Sequence, residues 1–558
     1  MRRMKGAAGL LTALLLAFQL SAQTFALANE DNGIKVVPVN FTHNGYSYEI
    51  EGVAKSTDGD YQIKSPARLA ARKLPSTYDP RSSGEITTVK DQASTGACWA
   101  FSALACAEQD LIKKGLENPS AEFSVPALVL SSNSGTATGK DDFSSGGNWL
   151  FAASALANGQ GLCYEDYEPF LESGTENMIV SENKKSVSEY RLNYVMELSS
   201  TTQVKRKIME LGAVSASYFA GNGYMNHNNT AYYDPDASKN TIINHSVTVV
   251  GWDDNYSKDN FRYKPANNGA WLVKGSWGAD QDNDGFYWVS YDEAEFGQFC
   301  CYDFEESCDN TYHYSKMTGY VVNASNDGSV YGANVFTAKA DEKLDKAGFM
   351  YVGKTGSADY TLSVYTNVSD SNPIGVLETQ ISGSVSANGF YTVDFPEDIL
   401  LEEGEKYSIS VKFSGDSGRG YLLAESDRTS KVQSGQSYVS LNGKYWSDVG
   451  ADKTDSIGSL FIYAYTDDTA KPDKSSLETT LAKYGTLAGC EREANNARTV
   501  LADENASKND ISNAQKLLIS AAEEQDEALV ITTEAQWESF AKRVSSGESF
   551  EGKLVTPA

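Results

Sequence analysis

The periodicity of apolar residues changes along this chain, and the changes divide it into parts of different fold class. In residues 74–304, helical patterns come first and strand-like runs such as HSVTVVGW come later, which predicts an α+β domain. In residues 305–467, short alternating runs such as YTLSVYTN and KYSISVKF predict an all-β sandwich. In residues 468–530, apolar residues recur at helical spacing and predict a small helical module.

Local turn and cap signals refine these predictions. The pairs Asn388-Gly389 and Asn442-Gly443 are typical of tight hairpin turns within the sandwich. The run SKND, Ser507 to Asp510, predicts a capped start for the last helix of the helical module. Residues 531–558 begin a further helix-then-strand pattern and are expected to be an incomplete segment of another unit.

The N-terminus carries the pattern of an export signal. A basic MRRMKG precedes the apolar run AAGLLTALLLAFQL, and the small residues Ala26 and Ala28 follow. A single membrane anchor is the alternative, but the apolar run is short for a span. We therefore predict a signal peptide at residues 1–28, a propeptide or linker at 29–73, and a mature chain that is secreted, either free outside the cell or associated with the cell surface. No later segment is apolar enough to predict a transmembrane span.

Composition limits the partners. The 558 residues carry a net charge of -28, which argues against binding to nucleic acid or to anionic membrane surfaces. The seven cysteines are an odd number for an exported protein, so at least one thiol has no intramolecular partner. Cys300, Cys301 and Cys308 cluster and could hold one disulfide. The pattern fits a protein that keeps one cysteine for its reactivity.

Cys98 is the strongest candidate for that reactive thiol. It begins a helical pattern in GACWAFSALACAEQDLIKKG that runs to Lys114 and should end at Gly115. The positive end of a helix dipole favours the thiolate form of a cysteine. Gln92, six residues earlier, carries an amide that could stabilise an oxyanion together with the Cys98 backbone N–H.

Two further stretches carry candidate groups. His245, in NHSVTVVGWDDN, alone among the four histidines opens a strand of buried character and can serve as a general base for a distant thiol. His227 is the only rival base. Gly146 and Gly147 precede an amphipathic helix, and paired glycines can bind an extended peptide through exposed backbone groups, although most glycine pairs are turns.

In order along the chain, QASTGACWAF, SSGGNW, LGAVSAS, NHSVTVVGWDD and GAWLVKGSWG resemble the papain-like (C1) cysteine peptidases of bacterial type. The resemblance implies an α+β papain fold, a Cys98 thiolate nucleophile that forms an ion pair with His245, and a Gln92 oxyanion hole. It further implies that Gly146 and Gly147 bind the substrate backbone and that Trp277 covers the histidine, with a peptide or protein as substrate and no cofactor.

Gly275 departs from the family pattern. The resemblance implies an asparagine there that orients the histidine ring, and glycine has no side chain to do so. Water, a backbone carbonyl, Asn267 or Asn268 could replace it, so we expect reduced but real activity that asparagine at Gly275 would raise. The alternative is a weak or inactive surface adhesin that uses the papain fold and the sandwich to bind peptide or glycan. A Cys98 thiolate that reacts with alkylating reagents at mildly acidic pH would favour the enzyme.

Two other features of the sequence are candidate binding sites. The run DQDNDG has carboxylates at calcium-loop spacing, but Tyr291 stands where the twelfth, bidentate acid is required, so we predict no metal site. The β-rich part resembles the lectin-like domain that follows the peptidase in bacterial proteins of this kind. Tyr391, Tyr445 and Trp446 could stack on sugars there, although sandwich aromatics more often belong to the core.

Overall fold

The computed structural model describes most of the chain from Leu74 to Glu527 and two short N- and C-terminal parts. The described residues are 34–38, 74–132, 143, 146–167, 170, 189–221, 223–237, 243–279, 282–315, 318–324, 328–415, 420–426, 432–451, 457–470, 472–503, 506–527, 529–531 and 555–557. The predicted signal peptide, nearly all of the predicted propeptide, and residues 532–554 lie outside them. Those three assignments stay predictions, as do the domain boundaries.

The described residues form the following helices and strands. The α-helices are α1 Cys98–Lys114, α2 Val125–Ser132, α3 Trp149–Ala157, α4 Thr201–Leu211, α5 Ser475–Tyr484, α6 Glu491–Ala502 and α7 Lys508–Glu527. Short 3₁₀ helices are Pro80–Ser83, Glu165–Tyr167, Lys258–Asn260 and Asp282–Gly285. The strands are β1 Ile34–Pro38, β2 Thr77–Tyr78, β3 Tyr190–Glu197, β4 Val214–Tyr218, β5 Met225–Asn226, β6 Ala231–Tyr232, β7 His245–Asp253, β8 Ala270–Lys274, β9 Phe286–Ser290, β10 Gly297–Glu306, β11 Asn310–Tyr312, β12 Thr318–Ala324, β13 Ser329–Thr337, β14 Glu342–Tyr351, β15 Ala358–Thr366, β16 Val376–Val385, β17 Gly389–Leu401, β18 Lys406–Ser414, β19 Tyr421–Ser426, β20 Ser437–Ser440, β21 Ser447–Asp448, β22 Ile457–Leu460, β23 Ile462–Asp468, β24 Leu529–Ile531 and β25 Val555–Pro557.

The first part of the chain has the predicted α+β organisation. Helices α1, α2 and α3 pack around a buried apolar core, and the strands β3, β4 and β7–β10 form an antiparallel sheet beside them. α1 is buried along most of its length and ends at Gly115, whose φ of 72° suits the C-cap. The predicted helix end is therefore confirmed, and so is the buried strand that His245 opens.

The β-rich part is a sandwich, as predicted. Strands β16, β15, β18, β13, β20 and β21 make one sheet, and β11, β23, β14 and β17 make the facing one. Their inner faces interdigitate through aromatic side chains, with the rings of Phe349 and Phe413 5.2 Å apart. A third sheet, in the order β1, β12, β19 and β22, includes the strand Ile34–Pro38 from the N-terminal segment.

The sheet that carries β17 does not stop at the boundary of the sandwich. Gly389 and Phe390 of β17 pair with Met196 and Val195 of β3, so one hydrogen-bonded sheet runs from the sandwich into the α+β part. A Cβ atom at Gly389 would lie 2.1 Å from the Val195 carbonyl oxygen, and only glycine permits this approach. The predicted hairpin at Asn388-Gly389 is wrong, because β16 and β17 lie in different sheets. Across Asn442-Gly443, β20 and β21 do pair antiparallel, but Val439 and Ser447, their last paired residues, are joined by a longer loop than the predicted tight turn.

The helical module is present as predicted. Helices α5, α6 and α7 pack around Leu477, Ala494 and Leu518. At the start of α7, the Asp510 N–H donates to Ser507 Oγ and the Ser507 N–H donates to the Asp510 carboxylate, which confirms the capping box. The module contacts the rest of the molecule through an ion pair of Lys508 with Asp468 at 2.7 Å.

All seven cysteines lie in the described residues, and none of them forms a disulfide there. The proposed disulfide among Cys300, Cys301 and Cys308 is absent, and strand geometry gives the reason. Cys300 and Cys301 are neighbours on β10, so their side chains point to opposite faces and belong to different apolar cores. Cys308 lies beyond the end of β10, where its thiol donates to the Asn310 carbonyl at 3.2 Å. Within the described residues, no helix is long and apolar enough to cross a membrane.

Candidate active site

Cys98 lies at the first position of α1, with its side chain 8 % exposed. Burial raises the pKa of the thiol, and hydrogen bonds from the backbone N–H groups of Ser246 and Trp99 oppose that rise. Ser246 directly follows His245 in β7. The helix start therefore brings the candidate nucleophile next to the strand that carries the candidate base, although the two are 147 positions apart in sequence.

His245 is held between aromatic rings. Its imidazole is stacked on the Trp277 indole, with ring centroids 4.2 Å apart and an interplanar angle of 7°. Tyr218 presents its ring edge-on at 6.0 Å. The histidine is only 5 % exposed, whereas Trp277 is 39 % exposed and forms the outer layer. Trp277 thus shields one face of the imidazole from solvent.

Gln92 is fixed beside the same two elements. Its side-chain Oε1 accepts a hydrogen bond from the Ser276 hydroxyl at 2.6 Å, and its backbone N–H donates to the Ser276 carbonyl at 2.8 Å. The side-chain Nε2 donates to the Thr95 carbonyl at 2.8 Å, which uses one of its two N–H groups. The other N–H remains for a ligand beside Cys98.

The two glycines lie on the helical side of the cleft. A Cβ atom at Gly147 would lie 2.4 Å from the Trp99 ring, so the Gly147 backbone rests directly on the residue that follows Cys98. Gly146 and Gly147 lead into α3, whose N-cap Asn148 accepts hydrogen bonds from the Leu150 and Phe151 N–H groups. The structure therefore brings Gln92, Cys98, His245, Trp277 and the glycine pair into one region.

Gly275 lies where β8 has just ended, on the inner face of the sheet. A Cβ atom there would lie 3.4 Å from Tyr287 Cε1 and 3.1 Å from the Gly285 carbonyl oxygen. The Tyr287 hydroxyl forms a buried hydrogen bond of 2.9 Å with the Tyr218 hydroxyl. A Cβ atom at 275 would thus be in ordinary van der Waals contact with the Tyr287 ring and would lie closer to the Gly285 carbonyl oxygen. Sequence reasoning missed Tyr287, because nothing in FYWVSY marks it as a neighbour of Gly275.

The histidine lacks a polar orienting partner among the described side chains. His245 Nε2 is buried and accepts or donates no hydrogen bond there. Asn267 and Asn268, considered above as substitutes, are engaged elsewhere: Asn267 Nδ2 donates to Asp292, and Asn268 Oδ1 accepts from the Lys258 N–H. Neither amide serves the histidine in this structure, so the stack on Trp277 is its best-defined support.

Burial sets the protonation states of the pair. It lowers the pKa of His245 to about 3 and raises the pKa of Cys98. Both shifts disfavour the charged forms, since transfer out of water penalises charge. Burial thus opposes the thiolate–imidazolium pair that the resemblance implies. A thiolate-imidazolium pair would need added stabilisation, for example from bound substrate.

A buried charge network ties α1 to the strand that leads into Gly275. Lys274 Nζ donates to Thr87 Oγ1 at 2.6 Å, and the Thr87 hydroxyl donates to Glu108 Oε2 at 2.7 Å. Glu108 also pairs with Lys90 at 3.3 Å. Burial raises the pKa of Glu108, but the two lysines outweigh it and hold that pKa below its usual range. This network, which sequence analysis did not find, fixes the relative position of the two halves of the site.

The other candidate binding residues differ in how far they are exposed in the structure. Tyr391 is packed against both cores and its hydroxyl donates to the Ala387 carbonyl at 2.6 Å, so its ring is not available to a sugar. Trp446 packs against Tyr331, whereas Tyr445 is 79 % exposed. In the acidic run before β9, residues 280 and 281 lie outside the described residues.

Comparison with known families agrees with this geometry. The model of the papain family cysteine proteases matches residues 74–325, and the model of the lectin-like domain matches residues 311–466. Among characterised relatives, cathepsin K of Mus musculus is 24 % identical over 216 residues, which are 38 % of this chain and 59 % of the cathepsin. Cathepsin L2 of Homo sapiens is 26 % identical over 224 residues, which are 39 % and 62 % of the two chains. The chain thus spans about three fifths of the length of these relatives.

Two solved structures match across both domains. One contains the cysteine protease and lectin-like domains of Cwp84, a surface-layer associated protein of Clostridium difficile. It is 25 % identical and covers 78 % of this chain and 99 % of its own, with a TM-score of 0.63. The other, a clostridial Cwp84 variant after propeptide cleavage, is 27 % identical, covers 71 % and 100 %, and has a TM-score of 0.62. This chain therefore contains a papain-family cysteine protease domain followed by a lectin-like domain.

Proposed function

We propose that the protein is an endopeptidase that cleaves peptide bonds through Cys98 and His245. The observation that carries the proposal is the position of the Cys98 thiol at the start of α1, where it accepts a hydrogen bond from the N–H of Ser246, the neighbour of His245. Acyl transfer needs a nucleophile and a base, and here the residue that contacts the Cys98 thiol is the chain neighbour of His245. The match to papain-family proteases supports the same reaction.

The proposed chemistry starts from the neutral thiol and imidazole that burial favours. The Cys98 sulfur attacks the peptide carbonyl carbon while His245 accepts the thiol proton, which yields a tetrahedral oxyanion. The Cys98 backbone N–H and the unused N–H of Gln92 Nε2 stabilise that oxyanion. His245 then gives its proton to the leaving amine, and the resulting thioester is hydrolysed by water with His245 again as the base.

Trp277 takes over part of the orienting role that an asparagine at 275 would have. A parallel stack at 4.2 Å prevents the imidazole from tilting, but it does not select which ring nitrogen carries the proton. We therefore propose that turnover is lower than in a site with a hydrogen-bonded imidazole, because part of the histidine population holds its proton on the wrong nitrogen.

We further propose that the protein is exported and acts outside the cell or at its surface. The N-terminal pattern of residues 1–28 and the likeness to a surface-layer associated protein support this location. Carbohydrate binding by the lectin-like domain stays a prediction, now narrowed to Tyr445 as the exposed aromatic side chain. An adhesin without turnover would keep these surface features and lose only the chemistry.

Peptide cleavage by the purified chain tests the proposed activity. Wild type should cleave members of a peptide library, and Cys98→Ala should cleave none while folding normally. Since burial raises the pKa of Cys98, the thiolate is lost as the pH falls through that raised value. Alkylation of free enzyme should therefore rise steadily with pH, so the reaction at mildly acidic pH expected from the sequence is not expected of the buried thiol, and peptide cleavage distinguishes the enzyme from the adhesin. Cleavage that persists in Cys98→Ala, or a wild type that cleaves nothing, contradicts the proposal.

A second prediction concerns asparagine at position 275, whose effect should depend on the side chain at position 287. Gly275→Asn alone should leave kcat/KM unchanged or lower it, because a Cβ atom there would already lie 3.1 Å from the Gly285 carbonyl oxygen and 3.4 Å from Tyr287 Cε1. Gly275→Asn combined with Tyr287→Val should raise kcat/KM by about tenfold over Tyr287→Val alone, since the amide can then reach His245 Nε2. Steady-state kinetics of the four proteins test this, and a gain from Gly275→Asn alone would show that Tyr287 is no obstacle.

A further inference from the structure

Three side chains, Asn388, Glu197 and Trp149, connect the boundary between the two domains to the segment that carries Gly146 and Gly147. Asn388, in the connection between β16 and β17, is 2 % exposed. Its Nδ2 donates to Glu197 Oε2 at 3.0 Å, and its Oδ1 accepts the Gly353 N–H at 2.9 Å. The Glu197 N–H donates in turn to the Asn388 carbonyl at 2.9 Å. Asn388 therefore fixes both the backbone and the carboxylate of Glu197.

Glu197 passes this constraint to the helical side of the cleft. Its second oxygen, Oε1, accepts the Trp149 indole N–H at 3.1 Å. Burial raises the pKa of Glu197, and the hydrogen bonds from Asn388 and Trp149 oppose that rise. The two donors thus stabilise the ionised carboxylate together, so removal of one also weakens the bond to the other.

Trp149 is placed to transmit a shift. It is the first residue of α3 and stands two positions after Gly147, with only the N-cap Asn148 between them. Gly147 has little room to move toward Trp99 of α1, because a Cβ atom on it would lie 2.4 Å from that ring. Movement away from the cleft is limited on the opposite side by the anchored Trp149 indole.

We propose that the lectin-like domain positions the substrate-binding glycines of the peptidase through an Asn388–Glu197–Trp149 link. This inference rests on the proposed function and on the binding of the peptide backbone that the resemblance implies for Gly146 and Gly147. Asn388, Glu197 and Trp149 are positioning residues and touch no reacting atom. The lectin-like domain is then a part of the peptide-binding cleft, whether or not it binds carbohydrate.

The kinetics of full-length variants test the link. Asn388→Ala removes the side chain through which the lectin-like domain contacts Glu197. Trp149→Phe keeps an aromatic ring but removes the indole N–H. Each should raise KM for peptides about fivefold with kcat changed less than twofold, since a hydrogen bond to a charged group is lost in positioning alone. Alkylation of Cys98 by iodoacetamide does not depend on the binding of a peptide backbone by Gly146 and Gly147, so its rate should stay at the wild-type value.

A neighbouring contact provides the matched control. Thr392 lies on the same strand β17, and its hydroxyl donates to Asn193 across the same domain boundary. Thr392→Val weakens this boundary without touching Trp149, so KM should stay at the wild-type value. If Asn388→Ala fails to fold, the KM of Trp149→Phe for peptides tests the link by itself.

The outcomes separate the link from the proposed function. An unchanged KM in Trp149→Phe, or an equal rise in Thr392→Val, refutes the link while the peptidase activity of wild type stands. A wild type that cleaves no peptide overturns the proposed function instead, whereas changed alkylation in Asn388→Ala would point to general disorder of the site.

Discussion

Replacement of His245 by glutamine is expected to lower kcat/KM by about 10²-fold to 10⁴-fold, the typical contribution of a general acid–base group. Glutamine fills a similar volume and can still stack on Trp277, but it accepts no proton at neutral pH. The thiol would then have to lose its proton to water before attack, although burial raises the pKa of Cys98.

The pH profile distinguishes loss of the base from loss of structure. Burial lowers the pKa of His245 to about 3, so the neutral base persists through mildly acidic pH and is lost only as the pH falls toward that value. Wild type should therefore keep its activity at pH 5, whereas the residual activity of His245→Gln should rise with pH in parallel with thiolate formation. A variant that keeps more than about a tenth of wild-type kcat/KM would contradict the assigned role.

Replacement of Lys274 by methionine should destabilise the peptidase domain by about 3 kcal/mol, the lower part of the range for breaking a buried ion pair. Lys274 is 4 % exposed and Glu108 is 1 % exposed, so neither charge finds water when the other is removed. Lys90 still faces Glu108, which keeps the loss at the lower end. In calorimetry, the transition of this domain should move down by about 6–12 °C.

A double variant tests whether the lost charge is the cause. Glu108→Gln in the Lys274→Met background should recover part of the stability, because the uncompensated carboxylate is gone. The pKa of Glu108 is held below its usual range, so its stabilising effect is present near neutral pH and is lost as the pH falls through that lowered value. The difference between wild type and Lys274→Met should therefore shrink in acid. A shift below about 2 °C at neutral pH would show that the network contributes little.

Much of the fold could be predicted because local signals agree with it. The capped end of α1 at Gly115 and the capping box at Ser507 follow from backbone chemistry within a few residues. The candidate site could be predicted as a set of residues because the motifs around Cys98 and His245 are specific. Their convergence in space, however, needed the structure.

What could not be predicted depends on contacts between distant segments. Tyr287 occupies the space beside Gly275 because β9 pairs with β8, and sequence gives no register for that pairing. Asn388 carries the pattern of a hairpin turn, but it is buried against Glu197, 191 positions earlier in the chain. The disulfide expected among three clustered cysteines fails for a similar reason, since closeness in sequence on a strand sends neighbours to opposite faces.

The sheet that crosses at Gly389 also bears on how such proteins can be inherited. A domain joined by a flexible linker can be lost, duplicated or exchanged as a cassette, because no structure depends on the junction. Here β3 needs β17 as its hydrogen-bonded neighbour, and a peptidase released from its companion would present a bare strand edge open to self-association. Recombination at this boundary is therefore penalised, and the two domains are expected to descend together as a single unit of selection.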